Sequence, residues 1–332
     1  MKENILEQYG YTKSQIDKIL NTYSIRDLKK ENLYNHIQNV LFLLETLKYN
    51  KKQIIKITSS LPQFFGYSIE NINDKINTFL SNNYSLNQII KMSTTFPALL
   101  GLSKEKIKKT IIELENLGYK REQIIKMTVL YPQIYSYNIE NIKNKINDLE
   151  TLGYKTNEII KMTISIPAIY GYSIDNIILK INDLTQMGYT NNEILRMTSI
   201  YPAIFSLNID NIKAKFKAIE SLGYTKEEII KITLELPSIY GYDINNIIEK
   251  IKNLKEKNLE YIIKEKPKHL MQSIELTNAR YRYLTEEKEI KIDKENSFNI
   301  FLDSKQFARK YKLDKDELLE IYAYNSKRKT KV

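Results

Sequence analysis

Residues 119–153 read YKREQIIKMTVLYPQIYSYNIENIKNKINDLETLG, and this pattern is written six times between Tyr49 and Asn258. Pro62, Pro97, Pro132, Pro167, Pro202 and Pro237 fall every 35 residues and account for six of the seven prolines. A fixed period of this size marks a stack of like supersecondary units, each burying its apolar face against its neighbours. A chain of 332 residues would otherwise suggest two globular domains, but a solenoid grows along one axis without a larger single core, so the expectation is one elongated all-α array.

With the opening Tyr of each repeat as position one, position two is Asn, Ser, Thr or Lys and position five is Glu or Gln, the spacing of a capping box. Apolar residues at positions six, seven and nine (Ile124, Ile125 and Met127) define a first helix of about ten residues, which ends before the proline. The proline suits the first position of a short tight helix. Ser68, Ser103, Asn138, Ser173, Asn208 and Asp243 then read as N-caps of a second helix, with an acid in the first turn of most. Its apolar stripe is Ile142, Ile146 and Leu149, and it stops at Gly153, equivalently Gly118, Gly188 and Gly223. Each repeat is therefore helix, proline turn, helix.

The ends are irregular versions of the same unit. Residues 1–48 contain a degenerate capping repeat, in which YTKSQIDKIL (11–20) parallels YTKEEIIKIT (224–233) and Ser24 stands where the proline belongs. The six full repeats occupy 49–258. Residues 259–284 read as a seventh repeat that has lost about five residues before Pro267, and 285–332 as a C-terminal cap with one or two helices and a disordered basic tail, SKRKTKV.

Lys and Arg number 51 against 40 Asp and Glu, a formal charge of +11, while 285–332 is nearly balanced with 12 basic and 10 acidic residues. The excess sits on the array and points to a polyanionic partner. The absence of cysteine excludes disulfides and thiolate metal sites. No apolar run is long enough to span a membrane, and the opening MKENILEQYGY carries two acids and no apolar core, so neither a secretory nor a transit peptide is visible. The expected location is the cytoplasm of a prokaryote.

Several coincident motifs make the chain similar to the mitochondrial transcription termination factor (mTERF-like) repeat family: a Pro followed by apolar residues, GYS, an acidic helix start and I..KI..L..LGY. ELTNARYRYL (275–284) and IFLDSKQFARKY (300–311) resemble that family's last repeat and closing segment, so the likeness covers nearly the whole chain. The resemblance implies a right-handed α-solenoid of about eight repeats, bent as a half-ring. Its basic concave surface would hold nucleic acid, usually duplex DNA, in transcription regulation or termination.

Two lines of cations are candidates for that contact. Position eight of the first helix is basic in every full repeat (Lys56, Lys91, Lys126, Lys161, Arg196 and Lys231) and points away from the apolar stripe. At about 8–10 Å between packed helices, seven repeats span roughly 60–70 Å, comparable with about 20 base pairs. A solvated lysine copied with the repeat would give the same line, and only the net charge and the resemblance tip the balance. The second line, Lys75, Lys145, Lys180, Lys215 and Lys250, flanks the stripe of the second helix and is interrupted by Thr110. The resemblance favours these residues for the groove, whereas covering the interface between repeats with their aliphatic stems is equally open to them. Arg280, Arg282, Lys305, Arg309, Lys310 and Lys312 form a third, C-terminal group, able to grip the backbone at one end or simply to solvate a cap.

The tyrosines that open repeats or follow the proline are repeat packing in the first instance, although exposed rings stack on bases. Gln63, Gln133 and Ser238 vary between repeats, as base readers must. Catalysis has no support: His36 and His269 lie in the degenerate end repeats, the glycines sit at repeat turns apart from Gly10, and the acids are scattered one per helix start. The expectation is a monomeric non-enzyme without cofactor, metal or small-molecule substrate, binding duplex DNA. An RNA-binding solenoid and a protein-interaction scaffold of TPR or HEAT type are the alternatives.

Overall fold

A computed structural model of the chain describes residues 5–22 and 30–322. Ser24 and the basic segment 326–332 lie outside the described residues. The chain divides into two compact halves, Met1–Ile174 and Asp175–Val332. The described residues of both are helical throughout, with no strand among them, and none of their helices is long and apolar enough to cross a membrane.

Each full repeat folds as its sequence dictates. In the third, the first helix is Arg121–Leu130, the proline opens a 3-10 helix at Pro132–Ser136, and the second helix is Ile139–Thr151 behind its Asn138 cap. Tyr131 adopts an extended φ of −140°, as the residue before a proline must. The turn between repeats needs a left-handed residue. Glycine supplies it at Gly118, Gly153, Gly188 and Gly223, while Lys48, Asn83 and Asn258 adopt it without glycine. Gly10, with φ +101, occupies the same position ahead of Tyr11, so it is a repeat turn as well.

Within the N-terminal half the first helices Lys51–Ser60, Leu86–Thr95, Arg121–Leu130 and Thr156–Ser165 pack successively side by side. Within the C-terminal half Asn191–Ile200, Lys226–Glu235 and the five-residue Tyr261–Glu265 do the same. The opening tyrosine pins each pair. Tyr84 Oη lies 2.7 Å from Thr128 Oγ1 and 2.7 Å from Tyr135 Oη of the next repeat, and Tyr119 meets Thr163 and Tyr170 in the same way. Tyr189, Thr233 and Tyr240 repeat the triad in the C-terminal half. Burial raises the Tyr189 hydroxyl to about 12, and it is the largest cause of the upward shifts at Tyr135, Tyr170 and Tyr240.

Phe65, Leu100 and Phe205 replace the second tyrosine in other repeats, and at the seventh repeat Ile263 and Leu270 replace both the threonine and the tyrosine. The Tyr224 hydroxyl is consequently buried without a partner. His269 sits where the full repeats carry Phe, Leu or Ile, stacks on Phe301 at 4.4 Å and keeps its Nε2 unpartnered, and burial lowers it to about 4. Beyond it, a 3-10 helix Ser297–Phe301, an Asp303 cap and the helix Ser304–Tyr311 reproduce the second part of a repeat without its proline, followed by Lys315–Tyr322.

Candidate nucleic-acid interface

The first line of cations is free. Lys56, Lys91, Lys126, Lys161, Arg196 and Lys231 are all exposed, because position eight lies opposite the buried Ile and Met positions of a ten-residue amphipathic helix. None of the six makes a side-chain hydrogen bond or ion pair among the described residues. The degenerate repeat contributes a seventh that the count of full repeats overlooks. With Tyr11 as position one, Lys18 falls at position eight; it is exposed, and its Nζ donates to Ser59 O at 3.1 Å.

The second line is anchored instead. Lys75 is only 6% exposed, its ammonium donates to Leu100 O at 2.6 Å, and it lies 4.0 Å from the Tyr67 ring centre. Lys180 donates to Leu207 O, Lys215 to Tyr240 O and Lys250 to Leu270 O, at 2.5, 2.5 and 2.8 Å. Lys145 is buried with its Nζ 4.0 Å from an Asp148 oxygen. The acceptors are carbonyls at the end of the following repeat's 3-10 helix, which have no helical partner of their own. Desolvation holds Lys75, Lys180, Lys215 and Lys250 below the ordinary lysine value.

The same device extends to residues outside this line. Where Thr110 interrupts the line, Lys106 reaches Tyr137 O from one turn earlier at 2.9 Å, and in the degenerate repeat the Nε2 of His36 meets Tyr67 O at 3.1 Å. Arg280 stands thirteen residues after Pro267, as Lys250 stands thirteen after Pro237, so it is the last member of the anchored line. It is 1% exposed, donates to Ile300 O, Leu302 O and Gln272 Oε1, and burial lowers it to about 10. The expected C-terminal group is therefore split. Arg280 is interior, Arg282 forks onto Glu286 and also donates to Tyr322 O, and Lys310 donates to Asn299 Oδ1, while Lys305, Arg309 and Lys312 are exposed. Of the residues that vary after the proline, Gln63 is exposed, while Gln133 and Ser238 are partly buried and the Gln133 carbonyl oxygen has no partner.

Between adjacent first helices the free cations border shallow grooves. One runs between Leu86–Thr95 and Arg121–Leu130, with Lys91 and Lys126 on its walls and Ile125 and Val129 in its floor. Cations flanking an apolar trough are an arrangement that suits contact with a polymer of negative charge.

The family model for mTERF matches residues 4–308, nearly the whole described chain. The chain belongs to the mTERF family. This is a family of nucleic-acid-binding helical-repeat proteins. No curated protein matches this mTERF chain significantly. For an mTERF repeat, the geometry assigns the proline, the caps, the tyrosine triad and the anchored cations to construction of the stack. The cation at position eight is left over.

Proposed function

We propose that this protein binds nucleic acid through its phosphates along the position-eight cations, with duplex DNA as the favoured ligand, and that it acts in transcription regulation or termination by occupying the template. It works as a monomer, without a cofactor or small-molecule substrate. The observation that carries this reading is that six repeat-spaced cations, Lys56 to Lys231, are solvent-facing and unpaired while Lys75, Lys180, Lys215 and Lys250 of the second line donate to backbone carbonyls. Unpaired cations at a fixed sequence period satisfy nothing in their own chain, and they release counterions when phosphates replace the solvent.

The test is fluorescence anisotropy of labelled duplex DNA, single-stranded DNA and RNA against the full chain over a salt series. A 1:1 complex is expected whose log Kobs falls linearly with log salt, with a slope of about −5 if six phosphates of a duplex are neutralised. Tighter binding of RNA than of duplex would move the reading to RNA, and a flat salt response would overturn phosphate contact altogether.

A further inference from the structure

The two halves carry the same groove with different charge. In the N-terminal half it lies between Leu86–Thr95 and Arg121–Leu130; in the C-terminal half it lies between Asn191–Ile200 and Lys226–Glu235, three repeats further on. Residues correspond at a constant offset: Lys91 with Arg196, Lys126 with Lys231, Glu122 with Glu227, and the floor residues Ile125 and Val129 with Ile230 and Leu234. Two positions change character. Gln88 becomes Glu193 and Leu130 becomes Glu235, so two cations face one carboxylate in the first groove and three in the second.

The register extends this contrast. At the corresponding positions of the other N-terminal grooves stand Gln53, Asn87 and Thr95 beside Lys56 and Lys91, and Gln123, Asn157 and Ser165 beside Lys126 and Lys161, with no acid in either set. Position five is Gln in the first three full repeats and Glu in the last three. This neutrality is not what the helices themselves favour. Either residue closes the capping box, as Gln88 does on Ser85 and Glu193 does on Thr190, but only a carboxylate at a helix start also meets the macrodipole with favourable charge. Repeats three and four also place Lys120 and Lys155 at the N-cap, where no side-chain oxygen is available to cap the amides, whereas the C-terminal half has Thr190 and Thr225. A cation there opposes the dipole and forgoes the side-chain cap. Lys120 breaks the cap rule that Thr225 obeys three repeats on, and Gln88 and Gln123 leave position five neutral where Glu193 and Glu228 charge it; such local departures mark a functional surface.

We propose that the first-helix face of the N-terminal half is the phosphate-gripping surface of this protein, and that the equivalent groove of the C-terminal half, screened by Glu193, Glu227 and Glu235, is a weak contact. This rests on the nucleic-acid reading above and assigns its polarity. Phosphates approaching Arg196 and Lys231 meet three carboxylates within the same trough, and like charge offsets the gain.

Matched variants in the full chain test it by salt-titrated anisotropy with a labelled duplex. Lys91→Gln with Lys126→Gln should lower affinity at least tenfold at about 0.1 M salt and reduce the log–log slope by about 1.8, at about 0.9 per phosphate. Arg196→Gln with Lys231→Gln should cost less than threefold. In the opposite sense, Glu193→Gln with Glu235→Leu, which writes the N-terminal residues into the C-terminal groove, should raise affinity and steepen the slope; its gain is legible even where a loss could be ascribed to misfolding. Equal losses from the two pairs, or no gain from the Glu193 and Glu235 changes, would overturn the polarity while leaving nucleic-acid binding intact. Absence of wild-type binding to duplex, single strand and RNA at low salt would remove both.

Discussion

The two lines of lysine share a residue type and a 35-residue period, and they differ in what their ammonium groups meet. On the second helices Lys75, Lys215 and Lys250 end on carbonyls at the close of the next repeat's 3-10 helix, while on the first helices Lys56, Lys91 and Lys126 end in solvent. The difference teaches that a repeat period marks a position as constrained without saying by what. A cation that satisfies an orphaned carbonyl is constrained by folding, and one that satisfies nothing in its own chain is available for a ligand.

Charge reversal should break the two lines in opposite ways, and this is the largest expected effect. Lys75→Glu removes a charge-assisted hydrogen bond and sets a carboxylate against Leu100 O in a site that is 6% exposed, so a loss of about 3–4 kcal/mol is expected from urea unfolding. Lys126→Glu, at an exposed position, should stay within about 0.5 kcal/mol of wild type yet weaken nucleic-acid binding more than any change on the anchored line that still folds. Comparable stability losses from the two would erase the distinction.

Much of this fold is legible in the sequence because a repeat averages its own signals: six copies of a capping box, a proline and an apolar stripe leave little ambiguity about helix, turn and helix. Position eight is legible for the same reason, since 100° per residue puts it opposite Ile124 and Met127. The anchored line is not, because its partner carbonyls lie 20 to 27 residues away in the next repeat, and whether Lys180 reaches Leu207 O depends on how the repeats pack. Arg280 shows the cost of that blindness: grouped by sequence with the C-terminal cations, it belongs by register thirteen residues after Pro267 and is buried. Lys18 is within reach of the same register, since the alignment of 11–20 with 224–233 sets it opposite Lys231. The unpartnered Tyr224 hydroxyl could equally have been found by asking which residues replace the threonine and tyrosine of its triad.

A smaller effect sharpens the comparison where the anchored line is interrupted. Lys106 substitutes for the residue at 110 by donating to Tyr137 O from one turn earlier. Lys106→Ala should therefore cost about 1–2 kcal/mol although Lys106 belongs to neither line. Adding Thr110→Lys restores a donor at the regular position and should recover most of the loss, measured as the shift of the unfolding midpoint. Failure of the second change to rescue the first would mean that Lys106 stabilises by packing and not through the carbonyl.

The smallest effect separates the lines through pH. Burial lowers Lys75 below the ordinary lysine value of 10.5, so between its folded value and 10.5 the unfolded chain holds the proton more tightly than the folded one. Its contribution to stability is accordingly full above 10.5 and is lost as pH falls through the folded value. Tyrosines act in the other direction: Tyr189, held near 12, keeps its proton while an unfolded tyrosine releases it at 10, so stability falls as pH rises above that point. The two overlap in the wild-type curve, and variants disentangle them. Lys75→Met removes a titrating group from a buried site and keeps the stem's packing, so its melting temperature relative to wild type should fall as pH is raised towards 10.5. A flat difference between Lys75→Met and wild type would mean that burial does not hold the Lys75 ammonium down, and the contrast between the two lines would then lie in geometry alone.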